Sequence, residues 1–179
     1  SKAFLSYGYE ISVTPIQLIN AYSALINGGY LYKPYVVKEI INSSGIAIEK
    51  NEPQKIRRVV SEATSKKMRE LMIGVVEHGT GKAAILDNVL VGGKTGTSQL
   101  LVNNSYSSNA HNSSFVGYFP AENPKIIMLI VYHSPVYGKY GGLVAAPVFA
   151  RAANRIIRAD ISILDGAKKF NRKEDLFEN

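Results

Sequence analysis

The sequence predicts an α+β domain in which an antiparallel sheet is flanked by helices. Two segments carry legible helix starts and stops, a third closes the chain as an amphipathic helix, and glycine-rich and apolar runs between them read as strands. The last two strands are joined by Pro120-Ala121-Glu122-Asn123-Pro124, too short for the crossover of a dozen or more residues that a parallel pair needs. With 179 residues, 46% hydrophobic and 20% charged, the chain can bury one core and is neither disordered nor of low complexity.

The first helix starts at Thr14-Pro15-Ile16-Gln17, with Thr14 as N-cap, Pro15 in the first helical position and Gln17 closing a capping box. Leu18, Ile19, Tyr22, Leu25 and Ile26 form one stripe and Asn27-Gly28-Gly29 is the stop, so the helix covers 14–27. Residues 30–41 and 45–50 predict a hairpin around Asn42-Ser43-Ser44-Gly45, with Val36, Val37, Ile40, Ile46 and Ile48 as its apolar positions. A second helix runs from a Ser61 cap to about His78, placing Leu71, Met72, Val75 and Val76 on the buried side. His78 then reads as a cation answering the helix C-terminus rather than as an acid or base.

Gly79-Thr80-Gly81-Lys82 predicts a flexible connection, and residues 89–99 a strand that turns from apolar to glycine-rich and polar at Gly92-Gly93-Lys94-Thr95-Gly96-Thr97. Residues 103–112, rich in serine and asparagine, predict a loop. Strands near 113–120 and 125–133 complete an antiparallel sheet that a 144–159 helix covers, its Pro147 tolerable only in the first turn. Residues 1–164 belong to one domain and 165–179 form a charged tail.

Composition removes several chemistries. Without cysteine there is no disulfide, thiolate metal site or cysteine nucleophile. His78, His111 and His133 are dispersed and no His-Glu-x-x-His pattern occurs, so no metal and no cofactor are expected. The apolar run from Ile126 to Tyr132 is far short of the ~20 residues of a membrane span, and any export signal or anchor is expected upstream of Ser1. The net charge of +7 favours anionic partners, yet no basic stripe with interleaved aromatics supports nucleic acid. Arg151, Arg155 and Arg158 share a face of the last helix, a solvated face before it is a surface for acidic lipid or glycan. Gly93-Lys94-Thr95 invites a phosphate-loop reading that fails, because Asn88 stands where the opening glycine is required.

Lys94-Thr95-Gly96 also matches the third motif of penicillin-binding proteins and class A β-lactamases. Its surroundings make the match specific: Tyr7-Gly8-Tyr9-Glu10-Ile11-Ser12-Val13-Thr14-Pro15-Ile16-Gln17-Leu18, then Asn27-Gly28-Gly29, Gly92 to Gln99, Ser114-Phe115-Val116-Gly117-Tyr118-Phe119-Pro120, and Tyr140-Gly141-Gly142-Leu143-Val144-Ala145-Ala146-Pro147-Val148-Phe149. In order and spacing, from about residue 5 to 159, the chain resembles the C-terminal half of the transpeptidase domain of class B penicillin-binding proteins of the cell-division type.

The resemblance implies a partial penicillin-binding (β-lactamase-like) fold and a D,D-transpeptidase that cross-links peptidoglycan stem peptides through a serine acyl-enzyme, with β-lactams as substrate mimics. It implies for Lys94 the holding of a substrate carboxylate and a catalytic electrostatic role, and for the Thr95 and Thr97 hydroxyls hydrogen bonds to the same carboxylate. Gly96 would let substrate backbone lie along the strand, and the Thr97 N–H would be half of an oxyanion hole. A glycine-rich strand beside a tight packing contact is the non-catalytic alternative for this stretch.

The first family motif, Ser-x-x-Lys, has no match: Ser1 is followed at that spacing by Phe4, Ser61 by Thr64 and Ser65 by Met68. Ser107-Ser108-Asn109 satisfies the second motif, Ser-x-Asn, only formally, since it follows the Lys-Thr-Gly strand instead of preceding it. Nucleophile and second motif are therefore expected upstream, leaving one wall of an active site here. A membrane-anchored enzyme on the periplasmic face of the bacterial inner membrane, with cell-division proteins as possible partners, is the implied whole; a non-enzymatic penicillin-recognising sensor or degenerate binding module is the alternative. Separated from its upstream half, the chain is expected to be oligomeric or to need that half, with Leu18, Tyr22, Leu25 and Leu71 among the contacts.

Overall fold

The structure, a computed structural model, describes residues 11–102 and 105–167. Helix α1 (Pro15–Ile26) starts on the expected capping box: Thr14 Oγ1 accepts from the Gln17 N–H at 3.3 Å and Gln17 Oε1 accepts from the Thr14 N–H at 2.8 Å. It stops where Gly28 and Gly29 adopt φ of +92° and +96°, a region side chains disfavour.

Helix α2 (Glu62–Glu77), capped by Ser61 through the Thr64 N–H, crosses the end of α1 and answers its orphan carbonyls. The buried Ser65 hydroxyl donates to the Leu25 carbonyl at 2.7 Å and accepts from the Gly28 N–H at 3.0 Å, while Arg69 Nη1 donates to the Ile26 carbonyl at 2.7 Å. The inward face is thus Ser65, Arg69, Met72 and Val76, at i, i+4, i+7 and i+11. Leu71 lies off it and is 58% exposed, against expectation, because two polar residues with helix-end partners occupy positions that the apolar count missed.

The hairpin of residues 30–50 is rearranged. Strand β1 (Tyr30–Tyr32) pairs with β4 (Lys55–Arg58), and only β2 (Glu39–Ile41) pairs with β3 (Ala47–Lys50), both antiparallel. Asn42 Oδ1 organises the β2–β3 turn by accepting the N–H groups of Ser44 and Ile46. Val36, Val37, Ile40, Ile46 and Ile48 are all exposed, since a two-stranded ribbon with no layer against it leaves both faces in solvent.

The main sheet has the order β5 (Gly92–Val102), β6 (Ser105–Phe119), β7 (Ile126–His133), antiparallel throughout, with Lys94 opposite Val116 and Val116 opposite Leu129. The β6–β7 pairing is the one the short turn required. Two boundaries differ from the expected ones. The strand opens at Gly92 rather than 89, although Val89 and Val91 are buried, and the polar stretch expected as a loop is mostly ladder, with Gln99 opposite His111 and Val102 opposite Ser105. Backbone pairing does not need apolar side chains, so composition alone misread it.

Alternation along β6 divides the core in two. On one face Phe115 and Phe119 meet Phe149 edge-on, with ring centroids 5.1 and 6.0 Å apart. Phe149 belongs to α4 (Ala146–Ala159), which follows the single turn α3 (Gly141–Val144) and holds Pro147 in its first turn as expected. On the other face Tyr118 packs with Ile26, Met72 and Ala121, flanked by Tyr22 and Leu25. The Tyr118 hydroxyl donates to the Arg69 carbonyl at 3.1 Å, and burial pushes its phenol well above the ordinary range. Met72 sits in one cluster and Val76 in the other, so α2 passes along the β5 side of the sheet.

The connection expected to be flexible is instead packed: Gly81 and Ala84 are buried, Gly81 N–H donates to the Val75 carbonyl at 2.9 Å, and residues Lys82–Ala84 form a 3₁₀ turn. Beyond α4, Lys125 Nζ donates to the Ser162 and Asp165 carbonyls at 3.2 and 2.8 Å, so ordered packing continues past 164. The rest of the expected tail, and the Tyr7-to-Glu10 part of the first quoted motif, lie outside the described residues. Among the described residues no helix is long and apolar enough to cross a membrane.

Candidate active site

Strand β5 carries the site, and its first glycines are demanded by packing. A Cβ at Gly92 would fall 2.2 Å from Tyr118 Oη and one at Gly93 2.4 Å from Phe115 Cζ, so aromatic rings from β6 occupy both faces of the strand's start. The tight-contact explanation therefore holds for Gly92 and Gly93, and a Cβ at Gly96 would likewise fall 2.4 Å from Ser114 Oγ. It does not reach Lys94, which is exposed.

Beyond those glycines the pleat sends side chains alternately to two faces. Lys94, Gly96 and Ser98 face α1 across a cleft of about 530 Å³, whose sheet wall includes Ser114 and Val116 and whose opposite wall includes Pro15, Leu18 and Tyr22. Lys94 Nζ donates to the Thr95 carbonyl at 2.8 Å, and among the described residues no carboxylate lies within ion-pair distance of it. The ammonium has three donors, so this one bond leaves it able to receive an anion.

Thr95 and Thr97 also line this cleft, while their hydroxyls bond two segments that sequence reasoning had not tied to the site. Thr95 Oγ1 lies 2.8 Å from Thr80 Oγ1, and Thr97 Oγ1 accepts from the Gly141 N–H at 3.2 Å. The Gly141 turn is seated closely: a Cβ there would fall 2.1 Å from the Ser114 carbonyl oxygen and 2.6 Å from that of Gly96, and one at Gly142 would fall 2.2 Å from the Thr80 carbonyl oxygen. Buried Ser113 ties the same turn down by donating to the Lys139 carbonyl at 2.6 Å. The paired glycines at 141–142 and the Gly79-Thr80-Gly81 spacing were the available signals, since glycine recurs where backbones approach.

In the described part of the structure β5 pairs with β6 alone, so from Lys94 onward its second edge has no strand beside it. The four residues Lys94, Thr95, Gly96 and Thr97 are thus brought to one edge. Ser107-Ser108-Asn109 is not: Ser107 stands nine positions along β6 from Val116, the partner of Lys94, or about 30 Å of strand. His78 is the C-cap of α2, as its reading as a helix-end residue required.

The Penicillin binding protein transpeptidase domain family matches residues 1–154. The chain belongs to that family. It is 40% identical over 149 residues to Stage V sporulation protein D of Bacillus subtilis, covering 82% of this chain and 23% of that protein. With the probable peptidoglycan D,D-transpeptidase PenA of Neisseria flavescens it shares 39% identity over 150 residues, 83% of this chain and 35% of that one. Penicillin binding protein 3 of Mycobacterium tuberculosis, solved in complex with aztreonam, superimposes with a TM-score of 0.78 at 27% identity over 88% of this chain and 37% of that one. The chain therefore spans a quarter to about a third of the curated relatives' length, and its α+β fold is part of a penicillin-binding transpeptidase domain. The class B resemblance read from the motifs stands.

Proposed function

We propose that the chain is the C-terminal half of a peptidoglycan D,D-transpeptidase and that β5 is its substrate-carboxylate wall. The observation that carries this reading is the exposed Lys94 ammonium on an open strand edge, with the Thr95 and Thr97 hydroxyls on the adjacent positions. Lys94 neutralises the terminal carboxylate of a stem peptide or a β-lactam; Thr95 and Thr97 donate to it. Gly96 keeps the edge low enough for a substrate backbone to add as a strand. The Thr97 N–H serves the oxyanion, stabilising charge that exists only in the tetrahedral intermediate. The attacking serine comes from upstream sequence, because no serine in this chain has lysine three positions on.

The whole protein is then a membrane-anchored cell-wall enzyme whose catalytic domain works on the outer face of the bacterial inner membrane, alongside cell-division proteins. The full-length protein, given a stem peptide ending in D-alanyl-D-alanine and an amine acceptor, should release D-alanine with repeated turnover and couple the remainder to the acceptor. Stoichiometric acylation by penicillin without turnover of the peptide would instead assign a sensor.

The cleft beside Lys94 is the seat we assign to the upstream segment, since its walls mix the site's polar edge with apolar Leu18, Tyr22, Val116 and Val131. Tyr22 and Leu25 already pack partly in the chain's own core, whereas Leu71 is exposed on the far side of α2. Each apolar side chain left bare forfeits roughly 1.5–3 kcal/mol of burial. Sedimentation of the isolated chain at micromolar concentration should show self-association, which addition of the upstream half as a separate chain reverses into a one-to-one complex. A strictly monomeric, cooperatively folding chain would refute this assignment of the cleft.

A further inference from the structure

Resting on the carboxylate-wall reading, we propose that Thr80, in the turn after α2, is a positioning residue for the bound anion: its hydroxyl donates to Thr95 Oγ1 and so turns the Thr95 proton outward toward the carboxylate.

Thr97 displays the arrangement without ambiguity. Its oxygen accepts from the Gly141 N–H, a group that can only donate, so its own proton is left for another acceptor. Thr95 lies two residues earlier on the same face of β5, and its partner at 2.8 Å is a second hydroxyl. Such a pair has two orientations. If Thr95 donates to Thr80, it presents lone pairs outward and repels an anion; if Thr80 donates to Thr95, the Thr95 proton is released. A carboxylate is acceptor-only, so binding selects the second orientation.

The fold holds Thr80 in place from both sides. Behind it, Gly81 N–H bonds the Val75 carbonyl at 2.9 Å; in front, its own carbonyl lies where a Cβ at Gly142 would approach to 2.2 Å. The same glycine pair thus fixes both hydroxyl partners, Gly141 by its N–H and Gly142 by making room for Thr80. Because Thr80 is exposed, its hydroxyl contributes little to folding, and valine at this position removes the donor without changing shape.

Second-order acylation constants of the full-length protein with benzylpenicillin and with its methyl ester, which lacks the carboxylate charge, test this for wild type, Thr80→Val, Thr80→Ser and Lys94→Ala. Thr80→Val should lower the benzylpenicillin constant about two- to tenfold, the scale of the neutral hydrogen bond that holds the Thr95 hydroxyl in orientation. With the ester, the same variant should match wild type, and Thr80→Ser should restore the benzylpenicillin rate. Thr80→Val acylating like wild type beside a slow Lys94→Ala would overturn the role of Thr80 alone. So would an equal loss with acid and ester, which would mark a general disturbance, or failure of serine to rescue. Lys94→Ala reacting as fast as wild type would overturn the carboxylate-wall reading on which this inference rests.

Discussion

Lys94→Ala in the full-length protein is expected to slow acylation by penicillin about 10²- to 10³-fold while leaving the melting temperature nearly unchanged. The two halves of that expectation come from different features of β5. Lys94 is exposed on the cleft face of this chain and donates to the carbonyl of its own neighbour, so its removal takes away little packing. Its charge, by contrast, stands in the described site without a carboxylate beside it, and on the proposed reading it holds an anion while negative charge develops nearby. Loss of one such preorganised donor costs roughly 3–4 kcal/mol in the transition state. Stopped-flow acylation with parallel thermal melts separates the terms: a normal rate with a collapsed melt would return Lys94 to a structural role.

How far the sequence carried this picture depends on the kind of signal. Helix α1 was legible to within a residue because its start is local chemistry: Thr14, Pro15 and Gln17 satisfy one another within a single turn. Lys94 to Thr97 were legible because a polar, glycine-rich break in an apolar strand has few structural explanations, though Gly92 and Gly93 turned out to answer the Tyr118 and Phe115 rings. What the sequence concealed was tertiary. Ser65 and Arg69 carry no apolar signal, yet their partners are the last carbonyls of α1, some forty residues earlier in the chain. Thr80 is likewise separated from Thr95 by fifteen positions, and the packing of its turn, between the Val75 carbonyl and Gly142, brings their hydroxyls together. The ribbon of β5 and β6 was misread for the opposite reason: its backbone pairing persists through serines and asparagines that carry no apolar signal.

The central claim is that this chain binds and stabilises while the nucleophile resides elsewhere, and intact mass spectrometry after incubation with a fluorescent penicillin tests it most directly. A nucleophilic serine needs an adjacent base to be reactive at neutral pH. None here has lysine at the required spacing, and Ser107, the only formal second-motif serine, stands about 30 Å of strand away from the Lys94 register. The isolated chain should therefore keep its unmodified mass. The full-length protein should gain one antibiotic increment, mapped by digestion to a serine outside residues 1–179. An increment on any serine within this chain would contradict the account, because the Lys94 edge would then belong to a site that is complete without an upstream half.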